Sequence, residues 1–400
     1  MRVVMFYHSL RSDWNHGNAH FLRGIVRELK ERGHTPVVYE PRDAWSVENL
    51  VREQGEAALD GFRSVYRGLD SIRYDLATLD LEAATDGADL VIVHEWSDHG
   101  LVAGLGALRR RGAKFRLLFH DTHHRAITDR ASMAAYDLSA YDGVLAFGEV
   151  LRALYLREGW AARAWTFHEA ADTKVFRPYA EVAPALTWPD PNWPDQNWPD
   201  LIWPDLIWPD LIWIGNWGDD ERSKELDEFL IAPVAALGLR ARIHGVRYPD
   251  AARAALASAG IEYGGWLPNH QAPAAFARAR VTVHVPRRPY AEALPGIPTI
   301  RVFEALACGI PLVSAPWSDA EGLFTPGRDY LVAKDGAEMR RHLRAILDDR
   351  ALARSLADHG LRTIAARHTC AHRVTQLLEI AKELGVVAPM RSEAPIEANP

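Results

Sequence analysis

The chain has little of what would mark several classes of protein. It holds two cysteines in 400 residues, Cys308 and Cys370, in unrelated surroundings and without metal-ligand spacing. That excludes a disulfide scaffold or a cysteine-built zinc site and fits a reducing compartment. No apolar run approaches the ~18 residues that a membrane-spanning helix needs. Basic residues are not in surplus: 46 Lys and Arg stand against 53 Asp and Glu, a formal net charge of -7, so a nucleic-acid partner is not expected. The opening segment, Met-Arg-Val-Val-Met-Phe-Tyr-His, reads as a strand and is too short and polar-flanked for a signal peptide, so a cytoplasmic location is expected. The cluster Arg109-Arg110-Arg111 falls at a helix end, where it complements the helix dipole, and leaves peripheral membrane contact open.

What is present is a regular alternation of strand-like and helix-like patterns, long enough for two or three domains at ~150 residues each. Strands are expected at Val3–Tyr7, Thr35–Tyr39, Leu90–Val93, Phe115–Phe119 and Val144–Phe147. Helices are expected at Ala19–Arg32, Leu101–Arg110 and Val150–Glu158. In the first helix Phe21, Leu22, Ile25, Val26 and Leu29 share one face, and Gly33 stops it. Short apolar strands separated by helices imply a parallel sheet covered on both faces. The stretch Val47–Leu81 reads as polar and mostly helical.

Residues 188–212 repeat with period five, from Trp-Pro-Asp-Pro-Asn through three copies of Trp-Pro-Asp-Leu-Ile. Proline at every fifth position removes a backbone donor and biases the preceding Trp away from helical geometry. An extended linker is expected over 181–210, read as an aromatic binding strip or as an expansion of the segment that opens the next domain. The alternation then restarts, with strands at Leu211–Gly215, Ala241–His244, Val281–Val285 and Pro311–Ser314, helices at Lys224–Leu237, Asp250–Ser258 and Arg301–Cys308, and closing helices from Ala337 to Ile380. This organisation predicts an N-terminal domain over 1–180, a second domain over 211–388 and a disordered tail over 389–400.

The segment Arg301-Val-Phe-Glu-Ala-Leu-Ala-Cys-Gly-Ile-Pro-Leu-Val-Ser314 places one carboxylate, Glu304, on a short helix that Gly309 and Pro311 stop before an apolar strand. Ligands of open α/β sheets collect at such junctions, where an acid can accept hydrogen bonds from a sugar hydroxyl. A surface glutamate on an amphipathic helix is the alternative.

Several segments, in order, carry a resemblance. His168-Glu-Ala-Ala-Asp172-Thr-Lys-Val-Phe176-Arg-Pro178 resembles a domain-linking Gly-Val-Asp-x-x-x-Phe-x-Pro signature. Ile214-Gly-Asn-Trp-Gly218 resembles the first strand and phosphate loop of a donor domain. Ile261-Glu-Tyr-Gly-Gly-Trp-Leu267, Val281-Thr-Val-His-Val-Pro286, the Glu304 segment and Gly327-Arg-Asp-Tyr-Leu-Val-Ala333 follow. The chain resembles a GT-B glycosyltransferase of the family 4, or group 1, kind, and particularly its CgeB-type relatives. The resemblance implies an α/β fold of two Rossmann-like, doubly wound parallel-sheet domains facing across a cleft. It implies transfer of a hexosyl-type sugar from a nucleoside diphosphate to an acceptor hydroxyl on a glycan, lipid or small molecule, in polysaccharide or glycoconjugate biosynthesis. Retention of configuration is implied, with no metal and with no cofactor beyond the nucleotide sugar as co-substrate.

Carried onto this sequence, the resemblance makes Glu304 the ribose contact and Gly215, Asn216, Arg222, Lys224 and Arg301 the diphosphate site. Arg222 and Lys224 have an alternative, pairing with Asp219-Asp220-Glu221 just before them. His120, ending a strand, becomes the catalytic cleft residue facing the donor sugar. His16, Gly17 and His20 form the acceptor-side loop, with His16 and His20 otherwise surface residues. A metal site at His120, Asp121, His123 and His124 is the competing idea, but the element is a strand end and only His120 and His124 share helical spacing. The departing phosphate is expected to take the acceptor proton; if the reaction inverts, Asp13, His16 or His120 is the candidate base. One departure stands out: the family's earlier Glu, eight positions before Glu304, is Gly296 here. That departure gives weight to an inactive nucleotide- or sugar-binding protein; a GT-B-shaped sugar-nucleotide epimerase is a separate alternative.

Overall fold

The computed structural model describes residues 1–178 and 209–386. The expected tail from 389, and the Trp-Pro-Asp repeat apart from its last residues, lie outside them. Two wholly parallel sheets organise the rest. The first comprises β1 (Arg2–Phe6), β2 (Thr35–Pro41), β3 (Ser71–Tyr74), β4 (Leu90–His94), β5 (Arg116–Asp121), β6 (Gly143–Ala146) and β7 (Ala164–Thr166), in the order β3-β2-β1-β4-β5-β6-β7. The second comprises β8 (Leu211–Ile214), β9 (Ala241–His244), β10 (Ile261–Tyr263), β11 (Val281–His284), β12 (Leu312–Ser314) and β13 (Leu331–Val332), in the order β10-β9-β8-β11-β12-β13.

Strand order reverses beside β1 in one sheet and beside β8 in the other, and crevices at such switch points open at the carboxyl ends of the strands. Central strands are apolar on both faces because helices cover both: Val3, Val4, Met5 and Phe6 in β1 and Leu90 to Val93 in β4 are buried. β8 is the final Leu-Ile-Trp-Ile of the repeat region, with Trp213 buried in the second core. Its apolar residues have a sheet to enter.

Several expectations needed revision, and in the second sheet the edge strands β10 and β13 had not been expected. β3 and β7 are short edge strands, and β3 lies inside the stretch read as mostly helical; an edge strand of four residues such as Ser-Ile-Arg-Tyr carries too little apolar alternation to stand out. The helix expected over Lys224–Leu237 forms but contains one wide turn at Asp227–Ile231. Pro233 lacks the N–H and crowds the carbonyl of Phe229, which lies within that turn.

The two domains are locked together. Leu294 and Ile297, on the loop after β11, insert into the core of the first domain, Ile297 against Gly148. The C-terminal helix Cys370–Glu383, expected with the second domain, lies along the Asn18–Glu31 helix of the first. There Arg32 donates to the Ala371 carbonyl at 2.7 Å and Arg373 to that of His168 at 2.9 Å. The basic cluster is neutralised: Arg109 pairs with Asp142, Arg110 with Asp137 and Arg111 with Glu82. Among the described residues no helix is long and apolar enough to cross a membrane.

Candidate functional site

A cavity of about 680 Å³ lies between the carboxyl ends of the two sheets. Its first-domain wall begins in the loop after β1, which a buried arginine shapes. Arg23, on the Asn18–Glu31 helix, donates to the carbonyls of Leu10 at 2.8 Å and Arg11 at 3.0 Å and pairs with Asp13 at 2.9 Å. Glu40 accepts from the Leu10 N–H at 2.8 Å. This fixes the path of Asp13 to Asn18 along the cleft and leaves Asp13, a candidate base, engaged in an ion pair. Thr122, His123 and His124, from the end of β5, and Glu169, from the segment linking the domains, complete this wall.

The second-domain wall carries Gly215, Asn216, Glu221 and Arg222 after β8, Arg287 and Tyr290 after β11, and Thr299, Ile300 and Arg301 at the start of the Ile300–Ala307 helix. Arg222 donates to the carbonyls of Val285 at 3.0 Å, Trp217 at 3.3 Å and Asn216, with its guanidinium 5.1 Å from the centre of the Trp213 ring. Two of its three acidic neighbours are occupied elsewhere: Glu221 pairs with Arg287 at 2.9 Å and Asp219 with Arg247 at 2.7 Å. Burial and repulsion from Arg287 lower the Arg222 pKa to about 9, so the group remains charged at neutral pH. The guanidinium is held in place by dipoles, with no carboxylate in ion-pair contact among the described residues.

The cleft histidines add no comparable charge. Burial pushes His16 and His123 well below the ordinary value and lowers His124. Positive potential in the cavity therefore comes from arginine.

Gly215, Asn216, Arg222, Arg301, His16 and Gly17 line the cavity as the sequence led one to expect. Four expected site residues do not. His120 is buried one layer below, bonded through Nδ1 to the Tyr7 hydroxyl at 2.6 Å and packed against Phe21 and Phe167. The reason is strand length: β5 runs to Asp121, so the chain reaches the cleft only at Thr122. Lys224 is exposed on the outer side of its short helix, whose Leu226 turns inward.

Glu304, expected to face a ribose, is enclosed one helical turn behind Arg301. It accepts from Asn269 at 2.8 Å, pairs with Arg301 and lies 3.0 Å from Nδ1 of His20. His20 is likewise fully buried rather than in an open loop. Its Nε2 accepts from the Asp172 N–H at 2.8 Å, so in the neutral ring the proton sits on Nδ1, facing Glu304. Burial alone would raise the Glu304 pKa; Arg301, with His20 and Asn269, outweighs it and holds the group below the ordinary value.

Position 296 also has a physical account. Gly296 adopts φ +87, and a β-carbon there would stand 2.6 Å from Cγ of Glu321. Glu321 itself bridges the domains, accepting from the Glu149 N–H at 2.8 Å and meeting His168 Nε2 at 2.9 Å.

Sequence reasoning missed the site's aromatic residues, Trp14, Trp45, Trp96, Phe147, Trp266 and Tyr290, as well as Arg287 and Glu169. Glu169 stood inside the quoted domain-linking segment, where a carboxylate at the second position was the available signal. A second cavity of about 520 Å³ adjoins the first and shares Trp45 and Trp96 with it. Tyr7, Tyr74, His99 and Tyr136 also line it. Among the described residues no group of three or more His, Cys, Asp or Glu side chains is placed to hold a metal ion.

Two α/β domains joined in this way across a cleft define the GT-B glycosyltransferase architecture, and the comparisons agree. Residues 222–379 match a family model described as glycosyl transferase-like. Among solved structures, sucrose-phosphate synthase from Thermosynechococcus elongatus superimposes with a TM-score of 0.63 at 16% identity, over 97% of this chain and 100% of that one. Anabaena HepE in complex with UDP and glucose gives 0.63 at 12%, over 96% and 99%. An alpha-glucosyltransferase in complex with UDP and a DNA 13-mer also gives 0.63 at 12%, over 96% and 99%. At such identities the likeness defines the fold. No curated protein matches the sequence.

Proposed function

We propose that the protein is a glycosyltransferase that moves a hexosyl-type sugar from a nucleoside diphosphate, held mainly by the second domain, to the hydroxyl of an acceptor that enters over the first. The observation that carries this reading is Arg222. A half-buried guanidinium held by carbonyls, close to Arg287 and Arg301 and without a carboxylate in ion-pair contact among the described residues, is a site for an incoming polyanion. A diphosphate supplies the missing negative charge. The uncapped start of the Asn18–Glu31 helix on the opposite wall adds a favourable dipole.

In this mechanism the acceptor oxygen bonds to the anomeric carbon as the bond from that carbon to the phosphate oxygen breaks, and its electron pair leaves with the nucleoside diphosphate. Arg222 and Arg301 stabilise the charge that grows on the leaving phosphate, in a cleft from which the apposed domains exclude water. The weak basicity of the cleft histidines and the ion pairing of Asp13 favour transfer of the acceptor proton to the departing phosphate. This is the retaining, metal-independent course. The adjoining aromatic cavity suits an acceptor with a flat, weakly polar face, such as a sugar ring stacked on Trp45 or Trp96. A cytoplasmic site of action is supported by the free, buried thiols of Cys308 and Cys370.

A second reading, nucleotide or sugar binding without transfer, is favoured by the absence of a side chain at Gly296. Incubation with labelled UDP-, GDP- and ADP-sugars separates the two. The transferase reading predicts release or transfer of sugar from at least one donor, reduced by at least tenfold in Arg222→Ala. Nucleotide binding with no sugar released by the wild type leaves the binding reading.

A further inference from the structure

Three acids line the cleft, and two are neutralised by ion pairs: Asp13 by Arg23 and Glu221 by Arg287. Glu169 has no such partner. It is 7% exposed, and among the described residues its one hydrogen bond comes from Asn18 Nδ2, at 3.4 Å to Oε1. Oε2 makes no hydrogen bond, in a wall of the cavity where anion-attracting groups converge. Asn18 opens a helix of 14 residues that has no side-chain cap, and Arg301 acts on Glu169 electrostatically from the other domain.

The charged and titratable groups facing Glu169 are Arg301 and Glu304 on the Ile300–Ala307 helix and Tyr290 on the loop after β11. Glu304 already carries the negative charge of this pair, held by Arg301, His20 and Asn269. Adjacent carboxyl groups in so enclosed a space divide the work, one ionised and one neutral. Burial, reinforced by Glu304 against the opposing bond from Asn18, pushes the Glu169 pKa up to about 8.

We propose that Glu169 serves the donor site as a protonated carboxyl group, accepting from Asn18 through Oε1 and donating from Oε2 to an oxygen of the bound nucleoside diphosphate. The inference rests on the nucleotide-sugar reading of the same cleft. An ionised carboxylate here would repel the diphosphate, whereas the neutral acid adds a hydrogen-bond donor. Glu169 is thus a binding and positioning residue. The acceptor's proton still goes to the leaving phosphate.

The test is calorimetric titration of UDP, and of GDP and ADP in parallel, into wild type, Glu169→Gln and Glu169→Ala from about pH 6.5 to about pH 9. Glutamine keeps the shape and the donor of the neutral acid but cannot ionise. Wild-type affinity is expected to fall about tenfold as the pH rises through about 8, with proton uptake on binding at pH 8.5. Glu169→Gln should hold its affinity within about threefold across the range, the part left to titration of Arg222, and should take up fewer protons on binding than wild type. Glu169→Ala should bind about tenfold more weakly than Glu169→Gln at every pH, with circular dichroism confirming that it folds.

An equal pH-dependent loss in wild type and Glu169→Gln overturns the inference, as does equal affinity of Glu169→Gln and Glu169→Ala. If wild type binds a nucleoside diphosphate and either of these results follows, the donor-site reading stands without Glu169's part in it. If wild type binds none of the three at any pH, both fall.

Discussion

Arg222 shows how position decides what a charged side chain does. On the sequence it follows three acids and could pair with any of them; in the fold Asp219 turns to Arg247 and Glu221 to Arg287, Asp220 is exposed, and Arg222 bonds to carbonyls in the cleft. Arg222→Ala should weaken nucleoside diphosphate binding by 10- to 100-fold, in line with the ~1.5–3 kcal/mol of a charge-assisted hydrogen bond. Arg222→Lys should restore little, because one ammonium cannot span three carbonyls and a phosphate. Calorimetry on the two variants checks both statements. Glu169 gives a prediction of stability. Its folded pKa, about 8, lies above the ordinary 4.5, so the folded state holds the proton more tightly than the unfolded chain. The stability this proton brings is full below about pH 4.5 and is lost as the pH rises toward 8. Glu169→Gln should therefore unfold at a higher temperature than wild type at pH 9, with a smaller difference at pH 5, as read by differential scanning calorimetry.

At the scale of elements, the long apolar strands and the helices with one apolar face were legible, because burial on both faces of a sheet and on one face of a helix leaves a period in the sequence. Edge strands β3, β7, β10 and β13 were not, having little buried surface to declare themselves. The site was legible where a glycine or arginine sits at a strand-helix junction, as at Gly215, Asn216, Arg222 and Arg301. It was misread where one residue of strand length decides whether a side chain meets the cleft or the core, as at His120. Glu304 was conspicuous for its sequence context, yet its surroundings come from His20 and Asn269, distant in the chain. The same distance hides the contact between the Asn18–Glu31 and Cys370–Glu383 helices. A β-carbon on Gly24 would lie 2.3 Å from Cys370 Sγ and 2.9 Å from Asp172 Cβ. Gly24→Ala should therefore cost about 1–3 kcal/mol through overpacking. A lowered melting temperature, with faster hydrogen exchange in the C-terminal helix, is the expected result.

For the whole molecule, what matters is how firmly the two domains are held face to face. Leu294 and Ile297 anchor the second domain in the core of the first, Glu304 reaches His20, and Glu321 reaches the start of the Glu149–Arg157 helix. Ile297→Ala should destabilise the protein by about 2–5 kcal/mol and loosen the apposition. Small-angle scattering should then record a larger radius of gyration, and nucleotide affinity should fall although no cleft group has been removed. The central claim is that this apposition builds a nucleoside diphosphate site around Arg222. Its most direct test is calorimetric titration of UDP-, GDP- and ADP-sugars into wild type and Arg222→Ala at pH 7. The account predicts that at least one donor binds the wild type at one site per chain and binds Arg222→Ala at least tenfold more weakly. Absence of binding by all three, or equal binding to both proteins, would contradict it.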